Sequence, residues 1–207
     1  VKIAVLGATG PTGLAFVDSA RGRGHALTAL VRGAGRLDDG PGLHVVLGDA
    51  RDAAAVEETV RGQDVVFVSL GLSAGGAADE TVTVCTDAVR HLAAVLPPDG
   101  PRVLVMSTHG VGDSNDGSPY VTRLWGLMGE RLRDKETMEA ELVTSTLDWT
   151  VVRAPRITDG PATGRYRIAP RLAVPADGHV GRADLVAFLL DEIETPAHPR
   201  ELLSIAY

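Results

Sequence analysis

Gly7, Gly10 and Gly13 recur at intervals of three directly after the apolar run Val1–Leu6. Glycine at such points lets the chain turn sharply, lets an anion approach the backbone and lets a helix pack close to a strand. Pro11 suits the first position of a helix, whose free N–H groups and partial positive charge hold a phosphate. Gly7, Thr9, Gly10, Pro11, Thr12 and Gly13 are therefore candidate contacts to a pyrophosphate. The context supports this over an ordinary glycine-rich turn. Leu14, Val17 and Ala20 follow on one helical face, and His25–Val31 reads as a second strand.

The end of that second strand bears on the choice of dinucleotide. An NAD site of this type places Asp or Glu there, against the ribose 2′-hydroxyl. Here Arg32 follows Val31, Arg36 comes soon after, and the next carboxylate is Asp38. Guanidinium groups grip a phosphate bidentately. The expected cofactor is NADP(H), its 2′-phosphate on Arg32 and Arg36. The plainer alternative is a pair of solvated surface arginines.

These residues need a frame to position them. Leu43–Leu47 reads as a strand, followed by a helix from about Asp52 to Val60. Asp64–Leu70 is nearly all apolar, as a strand covered on both faces must be. Gly71–Ala78 reads as a loop, and Thr81–Leu96 as a helix stopped by Pro97 and Pro98. Val103–Met106 is the fifth strand, Asp113–Ser118 a polar loop, and Tyr120–Met128 and Glu130–Thr144 two helical segments. Trp149–Val152 is a strand, Arg153–Asp177 a Pro- and Gly-rich excursion, Arg182–Ile193 a helix and Leu202–Ile205 a last strand. The pattern predicts an α/β fold with a Rossmann-type, doubly wound parallel sheet. Residues 1–207 form one domain in this reading, with residues 154–180 as a small substrate-side region near its C-terminal end.

Ligands of such sheets sit beyond the carboxyl ends of the strands, where strand order reverses. That rule adds Asp49 and Ala50 at the adenine edge, and Leu70 and Gly71 near a ribose. It also adds Ser107, Thr108 and His109 after the fifth strand, and Pro155, Arg156 and Ile157 after the sixth. Lysine occurs only at positions 2 and 135. Lys135 shares a helical face with Leu132, Met138 and Leu142, so it points inward.

Composition narrows the classes. The formal net charge of −7 argues against a nucleic-acid surface. Cys85 is the only cysteine and sits in an apolar helical pattern, so it reads as packing. The histidines are scattered, with no ligand spacing for a metal. No run is long enough to span a membrane, and the apolar start lacks the flanks of a signal peptide. The expectation is a cytoplasmic monomer or weak homodimer acting on a small molecule.

GATGPTG, LVRGAGRL, VVLGDARD, GQDVVFVSLG and APRITDGPATGRY together resemble the atypical short-chain dehydrogenase/reductases of NmrA-like, NAD(P)H-binding type, nearest to their biliverdin IXβ and flavin reductase branch. The resemblance implies NADPH as hydride donor and a shallow pocket beside the nicotinamide. It places Thr108 at the active-site hydroxyl and Arg156 at the family's substrate-side histidine, a change that alters the charge of the pocket wall. Typical short-chain dehydrogenases pair Tyr and Lys four residues apart, the lysine tuning the phenol. Here Tyr120 is followed at that spacing by Leu124, and Lys135 is preceded by Arg131, so the pair is broken. Candidate catalytic residues are Thr108, Ser107, Tyr120 and Lys135, with His109 and Arg156 on the substrate side. Lys135 alternatively anchors the nicotinamide ribose. The resulting expectation is an NADPH-dependent reductase of a flavin, quinone, enone or tetrapyrrole-like acceptor. A non-catalytic NADP-binding redox sensor, or a dehydratase, isomerase or cyclase on the same fold, are the alternatives.

Overall fold

The structure, a computed structural model, describes residues 1–71 and 82–207. The loop expected over Gly71–Ala78, beyond Gly71 itself, and Thr81 of the following helix lie outside the described residues.

Apolar runs form the strands β1 (Lys2–Leu6), β2 (Ala26–Val31), β3 (Leu43–Leu47), β4 (Val65–Val68), β5 (Arg102–Thr108) and β6 (Trp149–Ala154). They are joined by helices α1 (Pro11–Gly22), α2 (Ala53–Val60), α3 (Val84–Val95) and α4 (Pro119–Thr144). Three short strands follow: β7 (Arg156–Thr158), β8 (Arg167–Ala169) and β9 (His179–Gly181). Then come α5 (Arg182–Glu194) and β10 (Leu202–Ala206). The main sheet has the order β3-β2-β1-β4-β5-β6-β10-β8, and its order reverses between β1 and β4. All its pairings are parallel except β8 against β10.

Side chains alternate across this sheet. Ile3 and Val5 face α1 and α5, among Phe16, Leu185 and Leu189. Ala4 and Leu6 face α2, α3 and α4, among Val56, Leu92, Met138 and Leu142. Both faces are covered, which is why β4 carries no polar side chain.

Several boundaries differ from expectation. The strand β5 runs on to Ser107 and Thr108, which pair in register with Arg153 and Ala154 of β6. Arg153, read as the first residue of a loop, is a buried strand residue. By contrast, the two helical segments expected across residues 120–144 are present: α4 is divided by a kink at Met128 (φ −138°, ψ 23°). Asp52 is the cap of α2, its carboxylate accepting from Ala54 N at 3.0 Å. The Pro- and Gly-rich excursion contains β7 and β8, the second of which adds an antiparallel edge to the sheet.

Candidate functional site

The turn after β1 is built on glycines for steric reasons. Gly7 has φ +90°, and a Cβ there would stand 2.3 Å from the Ser69 carbonyl oxygen. A Cβ on Gly13 would stand 2.2 Å from the Gly7 carbonyl oxygen, so α1 can seat against the turn only with glycine. Gly10 is different: a Cβ there would meet nothing closer than 3.5 Å, and the residue faces a cavity. No side chain caps the start of α1, and no acid lies in its first turn. Its leading N–H groups are left for an anion.

A cavity of about 480 Å³ lies over this turn, beyond the ends of β1, β2 and β3. Gly7, Thr9, Gly10 and Pro11 form one wall, and Arg32, Arg36, Asp49, Ala50 and Arg51 contribute to the opposite end. Arg36 lies back over the glycine turn, donating to the Thr9 carbonyl at 3.3 Å. Among the described residues Asp49 is the only carboxylate of that wall, and Arg51 grips it with Nε and Nη2 at 3.1 and 3.0 Å. The Arg51 hydrogen bond, set against partial burial and helped by the Arg51 and Arg32 charges, holds Asp49 below the usual carboxylate range. The end of the cavity is therefore cationic.

A second cavity of about 190 Å³ continues from the first, the two sharing Ser69, Leu70, Gly71 and Val82. Thr12, Ser107, Thr108, Arg131, Lys135 and Ile157 contribute to its lining. Lys135 is 8% exposed. Its Nζ donates to the Leu70 carbonyl at 2.8 Å and to the Met106 carbonyl at 2.7 Å, bridging the ends of β4 and β5. Ser107 Oγ is buried without a hydrogen-bond partner among the described residues. Cys85 also borders this cavity, and burial first of all pushes its thiol up to about 11, so it stays protonated.

Two buried carboxylates hold this end together. Asp134, beside Lys135, accepts from the backbone N–H groups of Cys85 and Thr86 at 2.9 Å each, capping α3 from α4. Glu139, one turn further along α4, takes Arg153 Nε at 3.1 Å and Nη2 at 2.6 Å, and Asp113 also pairs with Arg153. Glu139 is thereby matched by Arg153.

The structure thus brings together the glycine turn, Arg32, Arg36, Asp49, Ala50, Leu70, Gly71, Ser107, Thr108, Lys135 and Ile157. Gly13 stands behind the turn as a packing residue. His109, Tyr120, Pro155 and Arg156 do not line either cavity. His109 is 2% exposed, with Nδ1 3.0 Å from Ser204 Oγ of β10. The chain turns at Gly110 (φ +106°) immediately after it. Burial pushes this imidazole down, against the opposing charge of Asp116. Tyr120 lies against His109, ring centroids 6.2 Å apart, and burial pushes its phenol up. Pro155 is buried, and Arg156 is exposed on β7. The lining residues passed over in the sequence reading include two arginines. Arg51 sits two places after Asp49 in the same strand-end loop, and Arg131 sits one helical turn before Lys135.

Residues 7–196 match the model of a family described as NAD(P)H-binding. The chain belongs to this NAD(P)H-binding family. Among curated proteins, this NAD(P)H-binding chain is 25% identical to the uncharacterized protein YwnB of Bacillus subtilis, across 99% of this chain and 98% of that one. Among solved structures it resembles ChuY, an anaerobillin reductase from Escherichia coli O157:H7, with TM-score 0.80, 22% identity, and coverage of 99% and 96%. It also resembles SP1627 of Streptococcus pneumoniae TIGR4, a candidate NADH-flavin reductase, with TM-score 0.80, 23% identity, and coverage of 99% and 98%. At those identities the likeness establishes the shared fold.

The site fits a nicotinamide dinucleotide. The space in front of Gly10 would be narrowed by any Cβ, the uncapped α1 terminus offers donors to a pyrophosphate, and Ser107 Oγ is an orphaned polar atom at the far end. Among the described residues no group of three or more His, Cys, Asp or Glu could hold a metal ion. Among them, too, no helix is long and apolar enough to cross a membrane.

Proposed function

We propose that this chain is an NADPH-dependent reductase of a small conjugated or carbonyl acceptor: a flavin, quinone, enone or tetrapyrrole-like compound. The observation that carries the reading is the layout of charge along the trough. Arg32, Arg36 and Arg51 stand at one end; Ser107, Thr108 and Lys135 stand at the other. In this reading residues 1–207 act as one dinucleotide-binding domain, with residues 154–180 on its substrate side.

Arg32 and Arg36 take the 2′-phosphate, and Arg51 neutralises Asp49 and so lessens its repulsion of that group. The α1 terminus takes the pyrophosphate. Lys135 has three N–H donors, of which two are spent on backbone carbonyls. The third is available to a ribose hydroxyl. Bound along this path, the nicotinamide supplies a hydride at the smaller cavity. Thr108 and Ser107 are the hydroxyls placed to orient the acceptor and pass it a proton, with solvent as the alternative source. The reductases among the structural neighbours support this choice of chemistry.

Two measurements test it. The native protein should bind NADPH at least about tenfold more tightly than NADH, a difference of ~1.4 kcal/mol, and Arg32→Ala should remove most of that difference. Equal affinities in the native protein would overturn the NADPH assignment. NADPH oxidation should then be seen with at least one member of a panel of flavins, quinones and enones. Arg131 in the place of a tyrosine favours a second reading, an NADP-binding sensor without turnover. Tight NADPH binding with no oxidation across that panel would favour the sensor.

A further inference from the structure

Arg131 is a half-buried guanidinium in the wall of the smaller cavity, and it makes no hydrogen bond or ion pair with any described residue. Its neighbours cannot satisfy it. Asp134 is spent on the N-terminus of α3 and on Thr86 Oγ1 at 2.7 Å, and Glu130 pairs with Arg133. Lys135 adds a second positive charge to the same wall. Among the described residues Asp134 is the only carboxylate lining this cavity, so beside Arg131 and Lys135 the described lining is net positive.

Position narrows what an anion held there belongs to. Beyond the break at Met128, the next turns of α4 line the cavity with Arg131, Leu132, Asp134 and Lys135, with Arg131 and Lys135 at i and i+4. The helix leads into β6, parallel to β5, so it runs back against the strands. Arg131 therefore stands about 5–6 Å, one helical turn, further out beyond the strand ends than Lys135. The larger cavity, where the pyrophosphate contacts lie, does not include Arg131.

We propose that Arg131 is the anion-docking group of the acceptor site, so that the preferred acceptor carries a carboxylate, sulfonate or phosphate close to its conjugated ring. This rests on the reductase reading above. A guanidinium stays charged throughout the working pH range and holds such groups with a planar fork, which gives direction as well as attraction.

The test uses two redox-inert ligands of one shape, 1-naphthoate and its neutral amide, titrated calorimetrically into the native protein saturated with NADP+. The carboxylate should bind at least about tenfold more tightly than the amide. Arg131→Met should erase that preference while leaving NADP+ affinity within about twofold. Arg131→Lys should keep part of it, because charge is retained and the fork is lost. Equal affinity for the two ligands in the native protein, failure of both to bind, or a preference that survives Arg131→Met would each overturn the proposal. NADP+ binding, measured first on every variant, reports separately on the cofactor reading. Its absence from the native protein would sink the reductase assignment, whereas intact NADP+ binding without the naphthoate preference sinks only the role of Arg131.

Discussion

Lys135 is held by two backbone carbonyls from different strands, so it is both a staple of the site and a candidate ligand contact. Replacing it removes a charged donor from two buried acceptors. Hydrogen bonds to a charged group are worth roughly 1.5–3 kcal/mol each in mutational series. Lys135→Met should therefore lower stability by about 2–3 kcal/mol and raise the NADPH dissociation constant several-fold. Turnover at saturating cofactor should fall by less than about tenfold, well short of the hundredfold or more that removal of a general acid–base group brings. Denaturant titration, cofactor binding and the pH profile of kcat check the three parts. A titrating limb present in the native profile and lost in the variant would make Lys135 a proton relay instead. The inward direction of Lys135 was legible from its spacing to Leu132, Met138 and Leu142; its carbonyl partners were not, because Leu70 and Met106 are distant in sequence. The same limit explains His109. Its position after a strand end was readable, but whether its ring faces the cavity depends on Ser204 and on the turn at Gly110.

At the scale of elements, α4 organises the wall of the smaller cavity. One stretch of it presents Asp134 to α3, Lys135 to β4 and β5, and Glu139 to Arg153 of β6. The Arg153–Glu139 pair is almost fully buried, at 1% and 4% exposure. Taking two charges out of water is costly, and removing one partner leaves the other buried without compensation. Arg153→Met should thus cost about 3–5 kcal/mol, by urea denaturation. Adding Glu139→Leu should recover part of the loss, because no stranded carboxylate then remains beside the apolar replacement. If the double variant is no more stable than the single one, the cost lies in Asp113 or in packing around Gly112, whose Cβ position is 3.0 Å from Arg153 Nη2. The strands and helices of the sheet were legible because their apolar periodicity is strong. Arg153 was misread as loop because charge at a strand end looks like a boundary, and only Glu139 across the interface reverses that meaning. The break at Met128, between Gly126 and Gly129, was legible as a gap between two helical segments.

At the scale of the molecule, the sheet and its cofactor edge follow from sequence order, but the attachment of the C-terminal half does not. Residues 163–164, helix α5 and the terminal Tyr207 are joined through one carboxylate. Asp184 accepts from Thr163 N and Gly164 N at 2.9 and 2.8 Å, from Thr163 Oγ1 at 2.8 Å and from Tyr207 Oη at 2.6 Å. Sequence shows an acid in the first turn of a helix; it does not show that two remote segments converge on it. The neighbouring Arg182 extends the junction to the start of α1, donating to Thr12 Oγ1 at 2.7 Å. Burial alone would push the Asp184 carboxyl up, yet the bonds from Tyr207, Gly164 and Thr163 outweigh it and bring it down to about 2. An unfolded aspartate titrates near 3.9, so the folded form binds this proton less readily than the unfolded form. The associated stability is fully present above about pH 4 and is lost as pH falls from there toward about 2. The difference between the two values corresponds to about 2–3 kcal/mol. Asp184→Asn should therefore be less stable than the native chain by about 2–3 kcal/mol at pH 7, and the gap should close as the pH of the denaturation experiment is lowered below about 4. A gap that stays constant from pH 7 to pH 3 would mean that the Asp184 charge does not hold this junction.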